Sequence, residues 1–259
     1  MSWLALLTLC CWLSVVVVAA VVRNRQFATF LGVLLGIYSL IAVAIAPAFA
    51  RVLPLFATLD VLVFVNFLAL SRPRMRPFLY RLLISWPASL FAAGTLLALP
   101  WGILMALGFH PWAPWLPYLV AAIGVFQSLS TSKEEIDLVV DGPSGPRIDL
   151  LAPHPHGDRR EERPLRIVQI SDPHLGPFMS VARLARIAQR AVDAKPDLIL
   201  LTGDFLTMES QSDPDLLLNA MAPLKAMEGK VFACNGNHDH EAPAIVARAM
   251  KENGIPLLI

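Results

Sequence analysis

The chain predicts an α-helical transmembrane region followed by an α/β domain, and three observations carry that fold class. The first is composition. Of 259 residues, 56% are hydrophobic and only 16% charged, too apolar for an ordinary soluble domain and far too apolar for a disordered chain. The second is the division of charge. Residues 1–132 hold seven Arg, no Lys and one acid, Asp60, whereas residues 133–259 hold fourteen basic and nineteen acidic residues, a net of −5 before His. The third is a regular alternation of strand-like and helix-like segments from residue 165 onward. The overall charge of +1 averages these unlike halves and argues against a basic nucleic-acid binder. Three cysteines, two of them adjacent (Cys10 and Cys11) and the third at Cys234, form neither a disulfide framework nor a zinc-finger spacing.

In the first half, apolar runs follow one another at the roughly twenty residues a helix needs to cross about 30 Å of hydrocarbon. They are Trp3–Val22, Phe27–Ala46, Val52–Leu70, Leu82–Leu107 and Trp112–Ser130. The breaks fall at Arg23-Asn24-Arg25, at Pro47 to Arg51, across Arg72–Arg81 and at Phe109-His110-Pro111. The second break is weak, so the expectation is five spans, with four as the alternative. Met1-Ser2-Trp3 carries no basic n-region, which argues against a cleaved signal. Arg72, Arg74, Arg76 and Arg81 crowd one loop, as the positive-inside bias requires of a cytoplasmic loop; capture of anionic lipid is the other reading. With five spans the arithmetic is six Arg inside and one outside, and the tail falls in the cytoplasm. Asp60 is the sole acid within a span. Without a basic partner or a second acid nearby, a helix-contact or lumen-facing role is favoured over transport or coupling.

From Lys133 the pattern changes. Ile136–Val140 and Arg147–Leu151 read as strands around the turn Asp141 to Pro146, and residues 154–163 as a linker. His154-Pro155-His156 is better read as surface histidine than as a metal pair. Residues 133–164 are therefore a strand pair and linker, and residues 165–259 a distinct α/β unit. Leu165–Ile170, Asp197–Leu201 and Val231–Cys234 are buried-strand runs. Val181–Ala194, Asp215–Met227 and Ala244–Asn253 are helical runs, the last closed by Gly254, and Ile255–Ile259 begins a fourth strand. Strands alternating with helices make parallel neighbours.

Each of the first three strands ends in residues able to bind metal: Asp172-Pro173-His174, then Gly203-Asp204, then Asn237-His238-Asp239. Asp172 and Asp204 are 32 residues apart, and Asp204 and Asn237 are 33 apart, each about one βαβ unit. Ligands in open α/β sheets bind at the carboxyl ends of the strands, so the three groups should converge. A mixed oxygen and nitrogen set suits Mn, Fe or Zn better than an all-oxygen calcium cage. An Asp between other ligands can bridge two metals that together activate water and clamp a phosphoryl group.

Ser171-Asp172-Pro173-His174-Leu175-Gly176, Gly203-Asp204 and Gly236-Asn237-His238-Asp239 resemble the first three motifs of the calcineurin-like metallophosphoesterases, in particular their membrane-anchored bacterial branch. The resemblance covers residues 165–259. It implies a β-sandwich flanked by helices, two divalent metal ions and phosphoester hydrolysis. Asp172 and His174 would bind the first metal, Asp204 would bridge, and Asn237 would bind the second. His238 would act at the phosphate, with Asp239 either orienting it or serving a purely structural capping role. Pro173 stands where a hydrophobic residue is more usual, and His240 and Glu241 have no motif role.

The leading expectation is an integral protein of the bacterial cytoplasmic membrane that hydrolyses phosphoesters, with the bilayer as partner and a lipid-linked substrate suggested by the tether. The alternative is a non-catalytic scaffold with a degenerate domain. A nuclease is disfavoured by the net negative charge, and no protein partner is indicated. The family pattern continues with a lone His and a Gly-His-x-His, which this chain lacks. The chain also stops within Pro256-Leu257-Leu258-Ile259, leaving a hydrophobic sheet edge. The domain is thus expected to be incomplete at the C-terminus, the chain a fragment that hydrolyses poorly alone, with a natural pseudoenzyme as the alternative.

Overall fold

The computed structural model describes residues 3–129, 136 and 165–258. The expected strand pair around residues 141–146, the linker and His154 and His156 lie outside the described residues.

Helices α1 (Trp3–Val22), α2 (Arg25–Ile45) and α3 (Leu53–Leu70) form the heart of the first half. Asn24 caps α2 by accepting from the Phe27 amide at 2.7 Å, an orphan donor that an Asn side chain satisfies well. Between α2 and α3 runs a 3-10 turn, Ala46–Val52, opened by a proline and broken by non-helical backbone at Phe49. The chain reverses there. Tyr38 of α2 donates to Asp60 Oδ1 of α3 at 2.8 Å, and the Tyr38 and Phe64 rings meet edge-on at 5.8 Å. Thr8 of α1 donates to the other oxygen of Asp60, also at 2.8 Å. One buried carboxylate thus ties three helices together, the arrangement that removes the cost of an unpaired polar group in an apolar bundle.

The chain continues through α4 (Phe78–Tyr80), a π-turn Arg81–Ser85, α5 (Trp86–Leu97), α6 (Leu99–Ala106) and α7 (Leu116–Leu129). By length and apolarity, Trp3–Val22 and the 46-residue helical run Arg25–Leu70, which folds back on itself at Ala46–Val52, can cross a membrane; a third can if the bent pair counts as one span. The two helical stretches after α3 differ in form from the expected spans. The fourth starts at Phe78 and bends by 54° between Leu97 and Leu99, where Pro100 opens the new helix. The fifth has 14 residues, about 21 Å at 1.5 Å per residue, because Pro111 and Pro114 precede its start at Leu116 and disfavour helix before it.

In the second half, β1 (Ile167–Ile170), β2 (Leu198–Leu201), β3 (Val231–Cys234) and β4 (Leu257–Leu258) form one parallel sheet in the order 1-2-3-4. Helices α8 (Val181–Asp193), α9 (Pro214–Met221) and α10 (Pro243–Glu252) connect them. Leu184, Ala188, Leu217, Met221, Val246 and Met250 from the helices bury against Ile199, Leu201 and Val231 of the sheet. Ser180 caps α8, and Gly254 ends α10 at φ 70°, as its sequence position predicts. Apart from an isolated parallel bridge between Leu175 and Leu206, this single sheet is all the β-structure among the described residues, so the second layer of the expected sandwich is not part of them.

The halves touch at the ends of the helices. Arg23 Nη1 donates to Leu70 O at 2.9 Å, bringing the C-terminal ends of α1 and α3 together, and Nη2 donates to Gln211 Oε1 at 2.9 Å. Arg81 and Trp86 approach Pro177 O at 3.3 and 3.4 Å, and the Trp86 ring stacks on Phe178 at 6.1 Å. The Ser212 hydroxyl donates to Pro73 O. The strand-end loops of the α/β half therefore rest against the arginine-rich loop.

Candidate metal centre

Register brings the strand ends level. Ile170 pairs with Leu201, and Leu201 with Ala233, so the loops after β1, β2 and β3 leave the sheet side by side. Backbone bonds then lace them together. Thr202 N donates to Ile170 O at 3.1 Å, His174 N to Asp204 O at 3.0 Å and Leu175 N to Phe205 O at 2.8 Å. The Ser210 hydroxyl also donates to Leu175 O, at 2.7 Å.

These loops hold strained backbone. Asp172, His174 and Asp204 all sit in the left-handed region, at φ 49°, 45° and 53°. Non-glycine residues adopt it rarely and at a cost, and such strain persists where surrounding structure enforces it, commonly at functional sites. Gly203, at φ 84°, and Gly236 lie back to back. A Cβ on Gly236 would come within 2.6 Å of Asp204 Cγ, so only glycine lets the third loop approach the Asp204 carboxylate.

The result is a trio. One candidate ligand atom from each of His174, Asp204 and His238 lies within 4.8 Å of the others. His174 Nε2 is 3.9 Å from Asp204 Oδ2, and the two imidazole rings stand nearly perpendicular at 5.4 Å. Asp204 is 8% exposed, and its other oxygen accepts from the His238 amide at 3.0 Å. The His174 imidazole and the Asp204 carboxylate are nitrogen and oxygen donors that suit a divalent transition metal, and the His238 imidazole stands directly beside them.

The remaining sequence-predicted residues lie close by. Asp172 is exposed and takes the Ser171 hydroxyl on its carboxylate; it stands outside the trio. Asn237 is exposed at the start of the 3-10 turn His238–Glu241. Asp239 is fully buried, and its partners are backbone amides. Oδ1 accepts from Phe205 N at 2.9 Å and Leu206 N at 3.3 Å, and Oδ2 from Gly236 N at 2.9 Å. It clamps the loop after β2 to the loop after β3. Both of its oxygens are thus taken by backbone amides, and His238 Nδ1 is buried without a hydrogen-bond partner. Facing that nitrogen instead, at 3.9 Å, is Glu241 Oε1. The only available signal for Glu241 was its position three residues after His238, neighbours on a helical turn.

Comparison with known proteins bears on the same stretch. Residues 165–255 match the calcineurin-like phosphoesterase family model. UDP-2,3-diacylglucosamine pyrophosphatase LpxG of Chlamydia muridarum is 39% identical over 98 residues, 36% of this chain and 27% of that protein. Phosphodiesterase YaeI of Escherichia coli is 29% identical over 99 residues, 37% of this chain and 36% of the relative. A transmembrane protein with metallophosphoesterase domain from Danio rerio is 37% identical over 79 residues, 29% of this chain and 17% of its own length. The matched stretch thus spans about a quarter to a third of the two bacterial relatives' lengths. No solved structure matches the chain.

Proposed function

We propose, from the match of residues 165–255 to the calcineurin-like phosphoesterase family, that the protein is a membrane-bound hydrolase of phosphoesters that works with two divalent metal ions. The observation that carries the reading is the convergence of His174, Asp204 and His238 within 4.8 Å at the carboxyl ends of parallel strands. Asp172 and His174 would hold the first metal, Asp204 would be shared, and Asn237 would serve the second. When bound, such a pair supplies a water nucleophile at neutral pH and charge to neutralise the phosphoryl oxygens.

The chain's own residues supply the rest. His238 protonates the leaving oxygen, a task suited to imidazole near neutral pH. The Asp239 clamp and the Gly203–Gly236 contact keep the ligand loops at fixed separation, so little reorganisation is needed on binding.

The substrate is proposed to be a lipid-linked phosphoester or pyrophosphate. The name of the chlamydial relative supports this, as does a domain resting on the ends of apolar helices. We further propose that the domain faces the cytoplasm. Arg23 and the Arg72–Arg81 loop lie on the side of the helices that the domain touches, while Arg51 sits at the α2–α3 turn, and positive loops stay inside. A C-terminal reporter active only in the cytoplasm is expected; activity only outside would overturn this orientation.

The test of function is hydrolysis of bis-p-nitrophenyl phosphate and p-nitrophenyl phosphate by the purified full-length protein, with and without Mn²⁺. Mn²⁺-stimulated turnover on at least one, abolished in Asp204→Ala, is expected. Turnover indifferent to chelator, or an Asp204→Ala variant as fast as the parent, would overturn the reading.

A further inference from the structure

Asp239 follows His238 in sequence but directs both carboxylate oxygens at backbone amides. The buried His238 Nδ1 is left without a partner. The carboxylate that faces it belongs to Glu241, whose Oε1 is 3.9 Å away along the same helical turn. That gap exceeds a hydrogen bond by about 1 Å, within reach of a side-chain rotation, and hydrogen bonds of this kind are often long before substrate binds.

Glu241 is itself held from the membrane half. Its Oε2 accepts from Gln211 Nε2 at 2.8 Å, and Gln211 Oε1 accepts from Arg23 Nη2 at 2.9 Å. The same Arg23 nitrogen lies 4.0 Å from Glu241 Oε2. Arg23 is anchored in turn by Leu70 O at 2.9 Å and by its stacking over the Phe27 ring at 4.0 Å. With only 12% of its side chain exposed, this guanidinium is a fixed charge at the end of α1, less screened than a surface one.

We propose that Glu241 is the positioning residue for His238 and that Arg23, through Gln211, holds Glu241 in place, so that the membrane half completes the catalytic site. This rests on the reading that His238 acts at the leaving oxygen. A carboxylate that accepts from Nδ1–H selects one tautomer and one ring orientation, leaving the other nitrogen for the substrate. Detaching the phosphoesterase domain from its helices then costs proton transfer as well as location.

Two readouts test this on the full-length protein in detergent. The first is the tautomer of His238, read from nitrogen–proton correlation spectra of ¹⁵N-histidine-labelled, metal-free protein. The parent is expected to carry the proton on Nδ1. Glu241→Ala shifts it toward Nε2, Glu241→Gln (which still offers an accepting oxygen) keeps it, and Arg23→Gln and Gln211→Ala shift it in part. The second is steady-state hydrolysis in Mn²⁺. Glu241→Ala and Arg23→Gln are expected to lower kcat about ten-fold with KM within about two-fold, and Glu241→Gln to recover most of the loss, in the range typical of orienting partners. Should Arg23→Gln fail to insert, Gln211→Ala breaks the same link from the soluble side. An unchanged tautomer in Glu241→Ala overturns the proposal, and a changed tautomer with unchanged kcat overturns its catalytic part. A parent inert with every metal refutes the phosphoesterase reading, while the spectra still decide whether Glu241 holds His238.

Discussion

Replacing Asp239 with Asn keeps the shape of the side chain and changes what it can accept. In the parent, two carboxylate oxygens take three buried amides, from Phe205, Leu206 and Gly236, at 2.9, 3.3 and 2.9 Å. Hydrogen bonds to a charged group contribute about 1.5–3 kcal/mol each, and a buried donor left unpaired costs about 1–3 kcal/mol. An Asn carbonyl can still serve the Phe205 and Leu206 amides, without charge. Its NH₂ must then face the Gly236 amide, donor against donor. The loss is one bond outright plus the charge assistance of two more, about 2–4 kcal/mol. If the clamp opens by separating the two loops, that energy appears in the exchange of these amides with solvent, about 30- to 1,000-fold faster. Hydrogen exchange followed by NMR at Phe205, Leu206 and Gly236 measures it, with amides of α8 as internal reference. Protection unchanged within about two-fold, together with a large fall in kcat, would refute the clamp and return Asp239 to orienting His238.

Three further outcomes follow from the same geometry. Gly236→Ala places a methyl within 2.6 Å of Asp204 Cγ, so the loop must retreat from the carboxylate; Mn²⁺ affinity by calorimetry is expected to fall at least about ten-fold, and parental affinity would contradict the close-approach argument. Glu209 is buried and its carboxyl is pushed up from 4.5 to about 7 by burial, with Arg76 and Arg81 pulling it partly back. The folded state therefore holds a proton that the unfolded state releases, so stability is full below pH 4.5 and declines as pH rises to about 7, by on the order of 3 kcal/mol at most. Glu209→Gln is expected to melt higher than the parent at pH 8 and alike near pH 4.5, and a variant that melts lower at pH 8 would contradict this. Asp60→Ala strips the acceptor from the Thr8 and Tyr38 hydroxyls and should cost about 1–2 kcal/mol of stability in detergent without altering kcat, as thermal unfolding and turnover together would show.

The sequence was most legible where a single physical requirement repeats. Apolar runs of membrane-crossing length marked the positions of α1, α2 and α3, and the 32- and 33-residue spacings from Asp172 to Asp204 to Asn237 matched the length of a βαβ unit, so the three strand ends could be placed level in advance. Positions that depend on meetings between distant segments were not legible. Nothing local to Asp239 announces that it will take amides from Phe205 and Leu206, and the approach of Arg23 to Gln211 joins residues 188 positions apart. Glu241 escaped for the same reason: its neighbours are set by the tertiary fold, and its one local signal, the step of three from His238, is shared by most residues on a helical turn. Asp60 lies between these cases. Its chemistry called for a partner, but only the reversal at Ala46–Val52 brings Tyr38 and Thr8 to it. The bend between Leu97 and Leu99 had its cause in view at Pro100, inside a run whose apolarity suggested one straight helix.

The central claim is that the ends of β1, β2 and β3 form one metal centre that hydrolyses phosphoesters, with Asp204 at its middle. Metal content and turnover measured on the same preparations of the full-length parent and Asp204→Ala test it most directly. The parent is expected to retain two divalent ions per molecule after Mn²⁺ loading and gel filtration, and to hydrolyse an aryl phosphate ester. Asp204→Ala is expected to lose both the ions and the activity while its helices and sheet stay folded by circular dichroism. A folded Asp204→Ala protein that keeps its metal and its turnover would contradict the account.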